Sequence, residues 1–149
     1  MSRQMFVNLA VADLDRSVEF FTRLGFTFDQ RFTDANATCM KVAEDSFVML
    51  LVRDFFATFT TRRLADLSTT TEAILAVSLE DRAAVDDLAE KALAAGGRPS
   101  TDPQDHGFMY QRSFADPDGH LWELFWMDPA AVPGQPAGSD RSAPEAVDA

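Results

Sequence analysis

Two similar patterns of apolar and polar positions follow each other along the chain. The first begins with FVNLAV, a half-alternating segment that predicts a strand. Asp13 then caps a predicted helix, LDRSVEFFTRL, which ends at Gly25. The apolar face of this helix holds Leu14, Val18 and Phe21. A short strand within FTFDQRF follows, and then ATCMKVA and FVMLLVR form two strands joined by a polar hairpin turn. The first half therefore predicts a βαβββ unit.

The second half repeats this order. EAILAVS predicts a strand, and EDRAAVDDLAEKALAAGG predicts a helix with Val85, Leu88 and Ala92 on one side. A short strand near RPST and a hairpin formed by GFMYQRSFA and HLWELFW complete a second βαβββ unit. In the hairpin turn DPDG, Pro117 sets the backbone dihedral angle and Gly119 can take a positive φ.

The repetition indicates an internal duplication. The two copies begin at Phe6 and Glu72, which are 66 residues apart. We therefore expect an α+β domain over residues 1–128, built from two tandem βαβββ modules. The first module covers about residues 5–53, and the second covers about residues 71–127.

Two segments lie outside the modules. The connector, residues 54–70, carries Phe55, Phe56 and Phe59, which make it too apolar for a plain linker. These rings could cover a binding cleft, form a subunit interface or pack against the domain's own edge. The tail, residues 129–149, is acidic and rich in Pro and Ala, so we expect it to be disordered.

Composition limits the kinds of partner that the protein can have. The chain has 149 residues, of which 46% are hydrophobic, and this is enough for a packed core. Its formal net charge of −11 would repel a phosphate backbone, and no basic stripe interleaved with aromatic residues is present. We therefore expect no nucleic acid partner.

Cysteine content and hydropathy favour a cytoplasmic location. Cys39 is the single cysteine, so the chain cannot form an internal disulfide, which fits a reducing compartment. The N-terminal segment lacks the apolar run of a signal peptide, and no segment approaches the roughly 18 apolar residues of a membrane span. We expect no membrane partner.

Two motifs resemble those of the vicinal oxygen chelate superfamily, which contains glyoxalase I, the extradiol dioxygenases, the fosfomycin resistance enzymes and the bleomycin resistance proteins. They are VADLDRSVEFFTRLGF, after the first strand, and FADPDGHLWEL, at the end of the second module. The resemblance covers roughly residues 5–128. It implies a glyoxalase/bleomycin resistance/dioxygenase-like fold, in which each module curls a mixed sheet into half of a cleft. In members with a metal ion, the ion lies where the sheets meet.

The resemblance also implies four ligand positions. Glu123, in DGHLWEL, matches the carboxylate of the final strand. Phe6 stands seven residues before Asp13, where metal-binding members usually have His. Leu50 falls on the corresponding slot of the first module's last strand, and Glu72 on the slot that is commonly His at the head of the second module. Two of the four side chains cannot donate a lone pair, so the implied metal site is degenerate.

Strand alternation predicts which other side chains share the cleft. Across the DPDG hairpin, the same alternation predicts that Ser113 lies beside Glu123. It also sets Gln111 beside Phe125. The ligand-binding cleft is predicted to contain, besides Glu72 and Glu123, the side chains of Phe6, Asn8, Leu50, Gln111, Ser113, Leu121 and Phe125. The side chains predicted on the opposite face, in structural roles, are Tyr110, Arg112 and His120.

Glu72 and Glu123 are the candidate catalytic and metal-binding carboxylates. If they approached to about 4 Å, their repulsion would be about 4 kcal/mol at an effective dielectric near 20. A hard divalent ion such as Mg²⁺ or Mn²⁺ would relieve it, and so would protonation of one carboxyl, or a wet cleft that receives a cationic ligand. His106, on a loop at the predicted cleft mouth, is the candidate general acid or base or a replacement ligand. No other cofactor is expected.

Three functions fit these residues. The first is a small-molecule-binding homodimer with a degenerate metal site, similar to the bleomycin resistance proteins, which sequester a basic aromatic drug. The second is a metal-dependent lyase or isomerase resembling lactoylglutathione lyase, which would use Glu72 and Glu123. The third is a non-catalytic interaction module, in which side chains fill the cleft.

Overall fold

The computed structural model describes residues 3–131 and shows two mixed sheets with three helices. The predicted α+β class and the two βαβββ modules are confirmed. Of the predicted disordered tail, residues 129–131 form a single 3-10 turn, and the remainder lies outside the described residues. None of the helices in the described part is long and apolar enough to cross a membrane.

The first sheet has the strand order β1-β4-β3-β2. Its outer pair, β1 and β4, is parallel, and the other pairs are antiparallel. The parallel pair requires a crossover connection, and β2 and β3 with helix α1 supply it. The bounds are β1 Met5–Val11, α1 Leu14–Arg23, β2 Thr27–Asp29, β3 Ala37–Ala43 and β4 Ser46–Val52.

The second sheet repeats this topology with the order β5-β9-β8-β6, and β7 pairs with β8. Here β5 and β9 are parallel, and β8 and β9 form an antiparallel hairpin. The short strand β7 adds one strand that the sequence pattern did not predict. The bounds are β5 Ile74–Ser78, α3 Arg82–Ala94, β6 Arg98–Pro99, β7 Gln104–Asp105, β8 Met109–Ala115 and β9 Leu121–Met127.

Both main helices begin at an aspartate cap. The carboxylate of Asp13 accepts a hydrogen bond from the backbone N–H of Arg16, and Asp81 caps α3 in the same way. The buried face of α1 differs from the predicted one, because Ser17 and Phe20 are buried together with Phe21. The cause is tertiary, since Phe20 and Phe21 pack on the second sheet.

One hydrophobic core joins the two modules. Phe21 lies 5.2 Å, ring to ring, from Trp122 on β9, and Phe20 lies 6.0 Å from Phe114 on β8. Leu50 of the first sheet and Val85 of α3 are fully buried in the same cluster. The modules therefore fold against each other rather than as separate units.

The turn DPDG also joins the modules. Gly119 has φ near 95°, as the turn pattern predicted. The carboxylate of Asp118 accepts hydrogen bonds from the backbone N–H of Ala12 at 2.8 Å, from Arg16 at 3.0 Å and from the Ser17 hydroxyl at 3.2 Å. A turn of the second module thus fixes the start of helix α1 in the first.

The connector packs against the first sheet. Its first residues form the short helix α2, Arg53–Phe56, which contacts β1 and β4. Phe55 and Phe56 are half-buried, and Phe59 is 69% exposed with its ring 5.1 Å from that of Phe55. Of the alternatives for this segment, packing on the domain is therefore observed for two of the three rings.

Candidate functional site

The open face of the first sheet carries Phe6 and its neighbours. Phe6 pairs with Phe47 across β1 and β4, and the two rings stack with centroids 4.8 Å apart. Phe6 is 48% exposed, and Asn8, two residues further along β1, is exposed on the same face. Phe6, at the position where the family resemblance implies a histidine in metal-binding members, is therefore one ring of an aromatic pair.

Leu50 does not lie on this open face, so its predicted position in the cleft is wrong. It pairs with Leu9, and both side chains point into the core, where Leu50 is fully buried. The strand SFVMLLV is apolar on both faces, so its alternation did not reveal which face is buried. The residues of β4 that accompany Phe6 and Asn8 on the open face are instead Phe47 and Met49.

Glu123 lies on the open face of the second sheet, in the predicted register. Ser113 is its cross-strand partner, and Gln111 is the partner of Phe125, so both predicted pairings are confirmed. The amide of Gln111 donates a hydrogen bond of 3.2 Å to the carboxylate of Glu123. Leu121 and Phe125, on the same face, are half-buried. A half-buried carboxylate thus stands among apolar side chains.

Tyr110 and Arg112 lie on the opposite, helix-facing side of this sheet, as predicted. The Tyr110 hydroxyl donates to Asp86 of α3 at 2.6 Å. The Arg112 guanidinium donates to Asp86 at 3.2 Å and to Glu90 at 2.6 Å. These bonds tie β8 to α3, which supports structural roles for both side chains.

The carboxylate of Glu72 contacts a histidine and does not approach Glu123. It lies two residues before β5, and its carboxylate is 3.1 Å from Nδ1 of His120. Nε2 of His120 is 2.7 Å from the carbonyl oxygen of Ala10. Glu72 is four residues, or about 13 Å along a strand, from the position that pairs with Glu123. The two carboxylates therefore do not form the predicted pair.

His120 has an oxygen acceptor near each of its ring nitrogens. A carbonyl oxygen and an ionised carboxylate can only accept hydrogen bonds, so the ring donates both of these bonds when it is protonated. Burial alone would lower the pKa of His120. The Asp116 carboxylate, the Ala10 carbonyl and Glu72 together outweigh burial and raise that pKa above its usual value. A histidine ring that is 1% exposed therefore joins the end of β1 to the segment before β5.

His106 lies at the far end of the second sheet from Glu72. Its backbone N–H donates to the carbonyl of Met109, and its ring lies 6.3 Å from that of Phe108. Met109 pairs with Met127, four residues, or about 13 Å, along β9 from Glu123. The structure therefore does not bring His106 together with either candidate carboxylate.

The donors at the implied ligand positions do not fit a metal ion. Phe6 and Leu50 offer no lone pair, and Glu72 and Glu123 are bound to separate partners. Between residues 3 and 131, no three side chains of the His, Cys, Asp and Glu types gather where they could hold an ion.

An apolar groove lies between β5 and the strands β1 and β4. It has a volume of about 280 Å³, near the lower limit of small-molecule sites. Ala76, which lines it, pairs with Glu123 on the neighbouring strand. Glu123 itself is not among the side chains that line the groove. The side chains larger than valine that line the groove are Met5, Phe47, Ile74, Leu75 and Trp122.

The sequence analysis missed two features. It predicted a structural role for His120 but not its bonds to Glu72 and Ala10. It also assigned nothing to the arginines of the connector, which line a second cavity together with His120. The motif DPDGH was the sequence signal that could have drawn attention to His120. The arginines show no periodic spacing that would have predicted a shared cavity.

Comparison with known proteins places the fold. A model of the glyoxalase/bleomycin resistance protein/dioxygenase superfamily matches residues 3–124. No curated protein matches the chain. The structure of the hypothetical protein SA1046 from S. aureus is 25% identical, with a TM-score of 0.72, and the alignment covers 85% of this chain and 94% of that one.

Two further solved structures are similar. A glyoxalase/bleomycin resistance protein/dioxygenase from Nocardioides is 25% identical, with a TM-score of 0.67, and 91% of each chain is covered. TnmS3, an antibiotic binding protein from Streptomyces sp. CB03234, is 19% identical, with a TM-score of 0.60. The alignment covers 85% of this chain and 97% of TnmS3.

Proposed function

This chain belongs to the glyoxalase/bleomycin resistance protein/dioxygenase superfamily, and from that premise we propose that it binds an aromatic small molecule that carries a basic group. The ligand lies in the apolar groove beside β5, and binding needs no metal ion. The observation that carries the proposal is the stacked Phe6–Phe47 pair, which stands in place of a metal ligand. Phe47 of this pair also lines the groove.

The chemistry of the groove supports this ligand class. Its apolar walls would bury an aromatic ring, and the Glu123 carboxylate beside Ala76 would attract a positive charge. The antibiotic binding protein TnmS3 illustrates that this fold can carry a binding function. The lyase alternative required Glu72 and Glu123 to act on one ion, and their separate partners give it no support.

Replacing Phe47 with alanine should weaken ligand binding roughly tenfold, because it removes an aromatic wall of the groove. The measurement is a fluorescence titration with the cationic dye acridine orange and the neutral dye Nile red, each with and without EDTA. Phe32→Ala is the matched control, since Phe32 is an exposed ring outside the groove. Glu123→Gln should weaken the binding of the cationic dye more than that of the neutral dye. Equal affinities in wild type and Phe47→Ala, or a loss of binding in EDTA, would contradict the proposal.

We further propose that the protein is a homodimer in which the exposed ring of Phe59 contacts the partner. Phe59 is 69% exposed and stacks edge-on against Phe55, so the connector presents a preformed aromatic surface. Phe59→Ser should raise the dimer dissociation constant roughly tenfold, as for an aromatic interface anchor. Sedimentation equilibrium measures this, with Phe32→Ser as the control. A wild-type monomer at all concentrations would refute the dimer.

A further inference from the structure

A second cavity has a mainly apolar lining that includes three arginines. It has a volume of about 330 Å³ and is enclosed by the connector, the end of β1 and the residues before β5 and β9. Arg53, Arg62 and Arg63 all line it. The apolar side chains that line it are Ala10, Phe56, Leu64, Ala65 and Leu67.

Among residues 3–131, these three arginines have no acidic partner at ion-pair distance. Residues 3–131 contain twelve Lys and Arg side chains, and seven of them form ion pairs within 4.0 Å. Within that described range, the five without such a partner are Arg3, Arg53, Arg62, Arg63 and Arg98. Three of the five therefore meet at one cavity, although the whole chain carries a net charge of −11.

The acidic groups near the cavity do not cancel this charge. Glu72 is the acidic side chain that lines it, and its carboxylate is 3.1 Å from Nδ1 of His120. Asp66 accepts two hydrogen bonds from Ser68, and these, with the more distant Arg53, lower its pKa. Three arginines and one glutamate line the cavity, so its lining carries an excess of positive charge.

The local backbone holds the arginines at the cavity. The backbone N–H of Arg62 donates to the hydroxyl of Thr60 at 3.1 Å, which shapes the turn before Arg62 and Arg63. Helix α2 carries Arg53 and packs on β1 and β4. These contacts position the backbone that carries the arginines, which limits the backbone ordering that ligand binding would require.

We propose that this cavity binds a small organic anion, a carboxylate or a phosphate monoester on an apolar body. Guanidinium groups match both anions with paired N–H donors. The apolar wall formed by Phe56, Leu64 and Leu67 would receive the body of the ligand. This site is separate from the apolar groove beside β5, and it would exist even if that groove bound nothing.

The test is isothermal titration calorimetry of the full chain with phenyl phosphate, benzoate, inorganic phosphate and benzyl alcohol. Phenyl phosphate and benzoate should bind with one-to-one stoichiometry. Inorganic phosphate should bind roughly tenfold more weakly because it lacks the apolar body, and neutral benzyl alcohol should bind more weakly still. Binding of both anions should weaken as the salt concentration rises.

Variants make the site assignment falsifiable. Arg62→Gln and Arg63→Gln should each weaken phenyl phosphate binding roughly tenfold, because each removes a paired donor. Arg98→Gln is the matched control, since Arg98 is exposed and equally without an acidic partner but lies outside the cavity. It should change the affinity by less than about twofold. Unchanged binding by the Arg62→Gln/Arg63→Gln double variant, an equal loss in Arg98→Gln, or no binding of either organic anion would overturn the proposal. Phe47→Ala should leave this affinity unchanged, which separates the result from that for the apolar groove.

Discussion

Replacing Asp118 with alanine should lower the free energy of unfolding by about 3 kcal/mol. The Asp118 carboxylate is only 9% exposed and bonds to the backbone of Ala12, to Arg16 and to the buried hydroxyl of Ser17. Alanine would leave three donors without their acceptor at the junction between the modules. Urea denaturation, followed by circular dichroism and by tryptophan fluorescence, measures the loss.

Two further variants separate the junction from an ordinary helix cap. Asp13→Ala removes a single bond to the Arg16 backbone at the same end of α1, and it should cost only about 1 kcal/mol. Asp118→Asn keeps one carbonyl acceptor and should fall between the two. If Asp118→Ala cost no more than Asp13→Ala, the turn DPDG would not be holding the modules together.

Replacing His120 with leucine should also cost about 3 kcal/mol below about pH 6. The ring is buried and donates to the Ala10 carbonyl and to Glu72, so leucine would leave a buried acceptor and a half-buried carboxylate without their donor. His120→Gln retains an N–H donor and should cost less. Chemical denaturation at a series of pH values measures both variants.

The pH dependence of stability follows from the direction of the His120 pKa. The folded pKa is raised above the ordinary value of 6.5 by Asp116, Ala10 and Glu72 against the opposing effect of burial. Below the pKa of the unfolded chain, both states bind the proton, and the full stabilisation is present. As pH rises from about 6.5 through the folded pKa, the folded state loses its proton and the stabilisation disappears. Wild type should therefore become less stable across this range.

Controls identify the titrating group. His120→Leu should lack this decline, because it has no proton to lose at that position. His106→Gln removes the exposed histidine of the loop before β8 and should keep the wild-type decline. A wild-type stability that rises with pH above 6.5, or a decline that persists in His120→Leu, would show that His120 is not the group responsible.

The two His120 variants, His120→Leu and His120→Gln, bear on ligand binding as well as on stability. His120 and Glu72 line the cationic cavity, so loss of the imidazolium would leave the Glu72 charge uncompensated there. The cavity would then have a less positive potential. The pH at which His120 loses its proton thus connects the stability of the fold to the electrostatics of the proposed anion site.

The amino-acid sequence by itself determined the order of the helices and strands. It also determined which side chains of the last hairpin share a face. The cap at Asp13 and the positive φ of Gly119 could be predicted because both depend only on the local backbone. Ser113 faces Glu123 because alternation and a short turn fix the register of an antiparallel hairpin. The motifs also sufficed to identify the family.

Only the tertiary structure decided which groups meet across the chain. Leu50 lies in the core because β4 is apolar on both faces, and its pairing with β1 determined which face was buried. Glu72 contacts His120 instead of approaching Glu123. Arg53, Arg62 and Arg63, which form no ion pair within residues 3–131, gather at one cavity. Local patterns fix how a strand or turn is built. The packing of distant segments around one core fixes which charged side chains become neighbours, and no period in the sequence records that packing.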